Sequence, residues 1–344
     1  MLRSSSLRPR FSLKAAAVTT ILALTAANAT QASAAIRPLA AAHAEAGRSS
    51  ALRPATSITF TTLDNPGDKT FNQLLGIDAN GVISGYFGSG MAHHPNIGYT
   101  IAPPYTTFVP DMMPTSTQTQ ATGILPGGTT TGFWAPSDKG IGLDQNYGFV
   151  RVVQNGVTLY VSVNDPLADG SPVVNQVLGI DANLTAVGFY QDKGNNPHGF
   201  LYSLKTGNFT AFNIPNAVSD AVTGISNTSN EVCGSFTDTK GHTKGFVESL
   251  TNGSNVHFEA PNSTFTNFLG VNDNGVAVGF YNDGNMVPHG IVYDYKTGAL
   301  AIINDPSGAM GTTLNGINDK GEIVGFYTDS HGNTHGLIVL GVSI

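Results

Sequence analysis

Six times along the chain a glycine opens a polar turn, and nine or ten residues later a second glycine interrupts an apolar run. The leading glycines are Gly76, Gly123, Gly179, Gly224, Gly270 and Gly316. The second glycines are Gly85, Gly132, Gly188, Gly234, Gly279 and Gly325. Copies follow one another at 45 to 47 residues, except for 56 in the second copy, which is longer around Ala135 to Asn146 and Asp165 to Val174. A repeat of this length restricts the fold to arrays in which each unit buries its apolar surface against its neighbours. The third, fifth and sixth copies are the most regular. They read Gly179-Ile-Asp-Ala-Asn, Gly270-Val-Asn-Asp-Asn-Gly and Gly316-Ile-Asn-Asp-Lys-Gly, then Ala186-Val-Gly-Phe-Tyr, Ala277-Val-Gly-Phe-Tyr and Ile323-Val-Gly-Phe-Tyr. A polar loop and a His-Gly pair follow in each: His198-Gly199, His289-Gly290 and His335-Gly336.

Each copy reads as four short strands, because its apolar runs last four to six residues and end in Gly, Asn, Asp or Pro. In Ala186-Val-Gly-Phe-Tyr, Val187 and Phe189 face one side and Gly188 and Tyr190 the other. Neither side is polar, so each sheet is expected to be covered on both faces. Blades stacked around an axis achieve this, and the second glycines are expected to let adjacent blades approach closely. The last copy has only three strands before Ile344, while Ile58-Thr-Phe-Thr-Thr-Leu-Asp-Asn-Pro66 is similar to the fourth strands ending at Pro215 and Pro306. The expected fold is therefore all-β: a six-bladed β-propeller of four-stranded blades, spanning 57–344 and closed by its N-terminal strand.

The pattern resembles the extracellular repeat family named for its His-Ala-Phe motif, the HAF repeat. Its units run Gly-Ile-Asn-Asp-x-Gly-x-Ile-Val-Gly-x-Tyr and then His-Ala-Phe. The resemblance covers about Ile58 to Leu340 and departs from the motif at the alanine, which is glycine here, as in His198-Gly199-Phe200. In the first, second and fourth copies Ile97, Tyr147 and Lys244 replace the histidine. The resemblance implies export and a β-rich repeat fold. It implies no activity.

The chain of 344 residues opens with Arg3, Arg8, Arg10 and Lys14, an apolar stretch from Ala15 to about Ala27, and Ala32-Ser33-Ala34. That order predicts a secretory signal peptide over 1–34, and the apolar core is shorter than the roughly 20 residues that span a bilayer. Residues 35–56 are expected to be a flexible leader. The expected location is secreted, extracellular or periplasmic, with no membrane span after signal removal. Loss of the four basic residues leaves 12 Lys+Arg against 23 Asp+Glu, a net charge of about −11, which argues against nucleic acid and anionic membrane surfaces as partners. With one cysteine, Cys233, no intrachain disulfide forms. Cys233 aligns with Val187, Val278 and Val324 and is expected to be a buried core thiol.

The loops between second and third strands carry Asp192 and His198, Asp283 and His289, and Asp329 and His335. These six are the candidate ligand-binding residues, because a ring of carboxylates and imidazoles on one face suits a polar ligand or cation. The alternative is that each Asp forms its turn and each His bonds within its blade, since residues repeated in every blade build the blade. Asn272-Asp-Asn-Gly275 lacks the full calcium-loop series; no cofactor is expected, calcium being the one metal such turns suit. Gly-x-Ser-x-Gly, His-Glu-x-x-His and phosphate loops are absent from the sequence. Trp134 aligns with Tyr190, Tyr281 and Tyr327 and is expected in the core. The segment from Ala135 to Tyr147, the connection Asp165 to Val174 and the first copy, with His93-His94-Pro95 and Met112-Met113, depart most from the repeat and are where specificity is expected. The expected function is an exported monomeric binding module for an extracellular ligand: a glycan, peptide or surface protein. The competing expectation is an extracellular hydrolase or lyase with its site on one propeller face.

Overall fold

The computed structural model describes residues 57–344; the expected signal peptide and leader lie outside the described residues. Each repeat forms one antiparallel sheet of four strands, and the six sheets form the ring of an all-β propeller. The blades span 72–110, 118–162, 175–212, 219–258, 266–303 and 311–340. In the third, the strands run from the axis outward as Asn175–Ile180, Thr185–Gln191, Pro197–Ser203 and Asn208–Phe212. Inner strands are buried along most of their length, while the outer Asn208–Phe212 is largely exposed. The sixth blade takes its outer strand from the other end of the chain: Thr59–Thr62 pairs antiparallel with Thr334–Leu340, Thr59 opposite Leu340 and Thr62 opposite Leu337. Among the described residues no helix is long and apolar enough to cross a membrane.

The two repeated glycines do different work. A Cβ on Gly76 would lie 3.2 Å from the Cα of Gly123, one on Gly123 3.1 Å from Gly179, and the series continues through Gly224, Gly270 and Gly316 back to Gly76. The leading glycines thus touch in a closed circle about the axis. Each sits at a bulge in its inner strand, where the register against the second strand slips; Gly123 lies inside the slip and the other five close it. The residues immediately before these glycines alternate: Leu75, Thr122, Leu178, Thr223, Leu269 and Asn315. The polar members tie their blade to the next. Thr122 Oγ1 donates to the Val177 carbonyl at 2.8 Å, Thr223 Oγ1 to the Phe268 carbonyl at 2.6 Å, and Asn315 Nδ2 to the Leu74 carbonyl at 2.8 Å.

The second glycines do not mediate the approach of adjacent blades, contrary to expectation. A Cβ on Gly188 would sit 2.0 Å from the Gln176 carbonyl oxygen of its own blade, and all six second glycines meet the corresponding carbonyl at 1.9 to 2.3 Å. The bulge pushes that carbonyl toward the second strand, and only glycine leaves room for it. The third-strand glycine takes the neighbour. A Cβ on Gly199 would meet Val222 at 3.0 Å, on Gly245 Phe268 at 2.8 Å, on Gly290 Leu314 at 3.0 Å and on Gly336 Leu74 at 3.0 Å, although on Gly290 and Gly336 the carbonyl oxygens of Ile303 and Leu63 lie nearer still, at 2.4 and 2.3 Å. Each of those side chains belongs to the inner strand of the next blade. Together with the outer-strand carbonyls, this packing leaves no room for a Cβ at these third-strand positions.

Apolar clusters fill the seams between successive blades from the second round to the first, as where Val187 packs with Val222, Val232 and Phe246. Cys233 lies in one of them, fully buried, with its thiol pushed up to about 12 by that burial. The seam between the first and second blades is polar. The buried Asp111 accepts from Thr130 Oγ1 at 2.6 Å and Tyr160 Oη at 3.2 Å, and Arg151 lies 3.4 Å away.

Candidate functional site

The six candidate residues from the sequence form three separate pairs, each within one blade. Asp192 Oδ1 accepts from the backbone N–H groups of Gly194 and Asn196, and its Oδ2 lies 3.1 Å from His198 Nε2. Asp283 and Asp329 repeat this arrangement, with His289 and His335 both at 3.4 Å. Each imidazole also packs on the tyrosine across the ladder, with centroids 5.3 Å apart for Tyr190–His198, 5.2 Å for Tyr281–His289 and 5.1 Å for Tyr327–His335. Burial opposes ionisation of Asp192, but its bonds from the Asn196 backbone and His198 outweigh this and bring it down to about 2. In the fourth blade Lys244 replaces the histidine and pairs with Asp238 at 3.1 Å.

A cavity of ≈ 210 Å³ opens beside the axis between the first three blades, on the face that carries these loops. The irregular segments build it. Gly140, Ile141, Gly142 and Asp144 come from the extra length of the second blade, and Ser171, Pro172 and Val174 from its long connection to the third. Asp144 folds the first segment: it accepts from Ser137 Oγ, from the backbone N–H of Lys139 at 2.9 Å and of Gly140 at 3.1 Å, and from Gln118 Nε2 at 3.1 Å. Asp138 reaches across to the first blade and accepts from the His93 backbone N–H at 2.7 Å.

The wall is made of amides and aromatic rings. Gln120 Nε2 donates to Asn96 Oδ1 at 2.8 Å, and Gln176 Nε2 to Asn146 Oδ1 at 2.9 Å, so the same Gln–Asn bond links the first blade to the second and the second to the third. Phe71, Tyr86, Phe133, Trp134 and Phe189 supply the apolar surface. Trp134 is only partly buried and packs on Tyr147 at 5.2 Å, so it is a wall residue rather than the core residue expected from alignment. Among the described residues, two buried polar atoms of lining side chains have no partner, Gln120 Oε1 and Trp134 Nε1; Gln73 Nε2 and Asp138 Oδ1, on residues outside the lining, have none either. Gln73 is itself fully buried, and its Oε1 accepts from Tyr86 Oη at 2.7 Å. Buried polar groups are normally paired, so such a cluster marks a place completed by something else. Of the lining side chains only Asp144 carries a carboxyl group, and both its oxygens are engaged by its own loop and Gln118.

A signal for this wall lies in the sequence. Gln73, Gln120 and Gln176 stand three residues before the leading glycines of the first three copies, where the others have Ala221, Asn267 and Thr313. Asn96 and Asn146 stand just before the position that holds histidine elsewhere.

No family model matches the chain, and no curated protein matches it. Among solved structures it is similar to TolB from Acinetobacter baumannii, at 9% identity over 80% of this chain and 65% of that one, with a TM-score of 0.42. It is also similar to AofleA from Arthrobotrys oligospora, at 13% identity over 84% and 94%, with a TM-score of 0.47. A third similarity is to Trypanosoma rangeli sialidase, at 9% identity over 78% and 54%, with a TM-score of 0.48. The chain thus spans less than two thirds of TolB and about half of the sialidase.

Proposed function

We propose that this chain is an exported binding module that holds an uncharged polar ligand, part of a glycan, peptide or surface protein, in the cavity between its first three blades. The observation that carries this reading is the wall itself, where amides from three blades and an aromatic surface surround polar atoms left without partners. Binding is favoured over catalysis by the chemistry of the lining. Proton transfer needs a group that titrates near the working pH. Asp144 is committed to its loop, and burial pushes the Tyr86 phenol far above its ordinary value. The Asp192–His198, Asp283–His289 and Asp329–His335 pairs are read as latches within their blades, since each carboxylate already serves its own turn and histidine.

Export rests on the basic and apolar N-terminal sequence and on the resemblance to the His-Ala-Phe repeat family. The test is a screen of the purified chain against glycan and peptide arrays, repeated with Gln120→Leu, Gln176→Leu and His198→Ala. A retained ligand should be lost with either glutamine variant and kept with His198→Ala. Equal binding by all three variants would remove the ligand from the cavity, and turnover of the ligand would replace the binding module with an enzyme.

A further inference from the structure

We propose that the cavity takes the terminal ring of a neutral saccharide, one pyranose deep; this rests on the binding reading above and names its ligand class. The unpartnered atoms set the requirement. Among the lining side chains, Gln120 Oε1 only accepts, whereas Trp134 Nε1 only donates. A ligand that completes the wall must therefore both donate and accept within one small volume. A hydroxyl does both and rotates to suit each partner, while an ammonium only donates and a carboxylate only accepts. Several hydroxyls on one rigid ring meet the requirement in several directions at once.

Charge and shape point the same way. Among the described lining residues the single carboxylate, Asp144, is engaged, and the unpartnered Asp138 Oδ1 lies outside the lining, so the wall itself offers no free counter-charge to an ionic ligand. Phe133, Trp134 and Phe189 provide apolar surface for the C–H faces of a sugar ring. The volume of ≈ 210 Å³ is below the range of about 300–1,000 Å³ that drug-sized ligands occupy, which fits one ring and not an oligomer. An extended peptide binds through main-chain groups added to a strand edge. Here the open valences belong to side chains of the second blade, Gln120 and Trp134.

Trp134 is the only tryptophan in the chain, so its emission reports on the cavity directly. The purified chain is titrated with the methyl glycosides of glucose, galactose, mannose and N-acetylglucosamine, with glucuronate and glucosamine, and with N-acetylalanine methylamide as a peptide probe. At least one methyl glycoside should shift the emission saturably, and Gln120→Leu should weaken it by about 10-fold or more. Glucuronate and glucosamine should have no effect. If Gln120→Leu fails to fold, calorimetric titration of Trp134→Phe replaces it, with the same loss expected. A shift produced only by the peptide probe and weakened by Gln120→Leu overturns the saccharide and leaves the cavity as the binding site. No shift with any probe overturns the saccharide, and the array screen with the glutamine variants then decides separately whether the cavity binds at all.

Discussion

His335 Nδ1 and Asp64 Oδ2 lie 2.7 Å apart although 271 residues separate them in the chain. The other ring nitrogen, Nε2, faces Asp329 Oδ2 at 3.4 Å, so both nitrogens meet carboxylates. Asp64 also accepts from the Gly336 backbone N–H at 3.0 Å, which fastens the segment after Thr59–Thr62 to the last blade. Burial alone lowers the imidazole pKa. The bonds and charges of Asp64 and Asp329 outweigh it, and the net shift is upward.

A histidine whose folded pKa is raised adds stability that is complete below its unfolded value of about 6.5 and is lost as pH rises through the folded value. The closing strand should therefore hold more tightly at mildly acid pH than above neutrality. Thermal unfolding followed from pH 6 upward should show the midpoint falling, and Asp64→Asn should flatten that slope and cost about 1 kcal/mol at the acid end. A slope identical in the variant would assign the pH dependence to other groups.

The glycines give a graded prediction within one blade. A Cβ on Gly179 meets Val187 Cγ2 at 3.2 Å and Gly224 Cα at 3.4 Å, contacts that small shifts relieve. One on Gly188 meets the Gln176 carbonyl oxygen at 2.0 Å and Phe200 Cζ at 2.9 Å, and a backbone carbonyl cannot move without disturbing the bulge. Gly179→Ala should cost about 1–2 kcal/mol in chemical denaturation, and Gly188→Ala about 3 kcal/mol or more. The reverse order would mean that the bulge yields more easily than the circle of leading glycines.

The fold was legible because each blade repeats the same physical requirement. Gly76, Gly123, Gly179, Gly224, Gly270 and Gly316 recur since each inner strand passes the axis at the same distance, and one spacing reads them all. The candidate site was legible only in part. The extra segments of the second blade stood out as breaks in the period, and they do line the cavity. Gln120, Gln176, Asn96 and Asn146 did not stand out, because each is an ordinary polar residue until the ring brings blades side by side. Trp134 was hidden by alignment. It occupies a tyrosine position in the ladder, but the neighbouring segment from Ala135 onward makes that position a wall. The role of the second glycine was misplaced for a similar reason, since a bulge within one blade leaves no mark in the spacing.

Metal addition should leave stability unchanged. Asp192 uses Oδ1 for two backbone N–H groups and Oδ2 for His198, and Asp283 and Asp329 do the same with their own loops. A cation would have to displace those bonds. With millimolar calcium, or with EDTA, the thermal midpoint should stay within roughly 1 °C. A rise that grows with calcium and then saturates would turn these loops into a metal site.

Asp111 tests the polar seam between the first and second blades. It is fully buried and serves Thr130, Tyr160 and Arg151, all on the neighbouring blade. Alanine there removes the shared acceptor and leaves a hydroxyl, a phenol and a guanidinium without it. Losing one partner of a buried ion pair costs about 3–5 kcal/mol, and the 3.4 Å separation of Arg151, whose side chain keeps 16% of its exposure, places this pair at the low end. Asp111→Ala should therefore cost about 3 kcal/mol. Asp111→Asn should cost less, because its carbonyl oxygen still accepts from Thr130. Urea denaturation followed by Trp134 emission reads both, since that residue shares its strand with Thr130, the closest partner of Asp111. A cost below about 1 kcal/mol for alanine would mean that water or a shifted Arg151 fills the gap, and that packing elsewhere in the ring holds these two blades together.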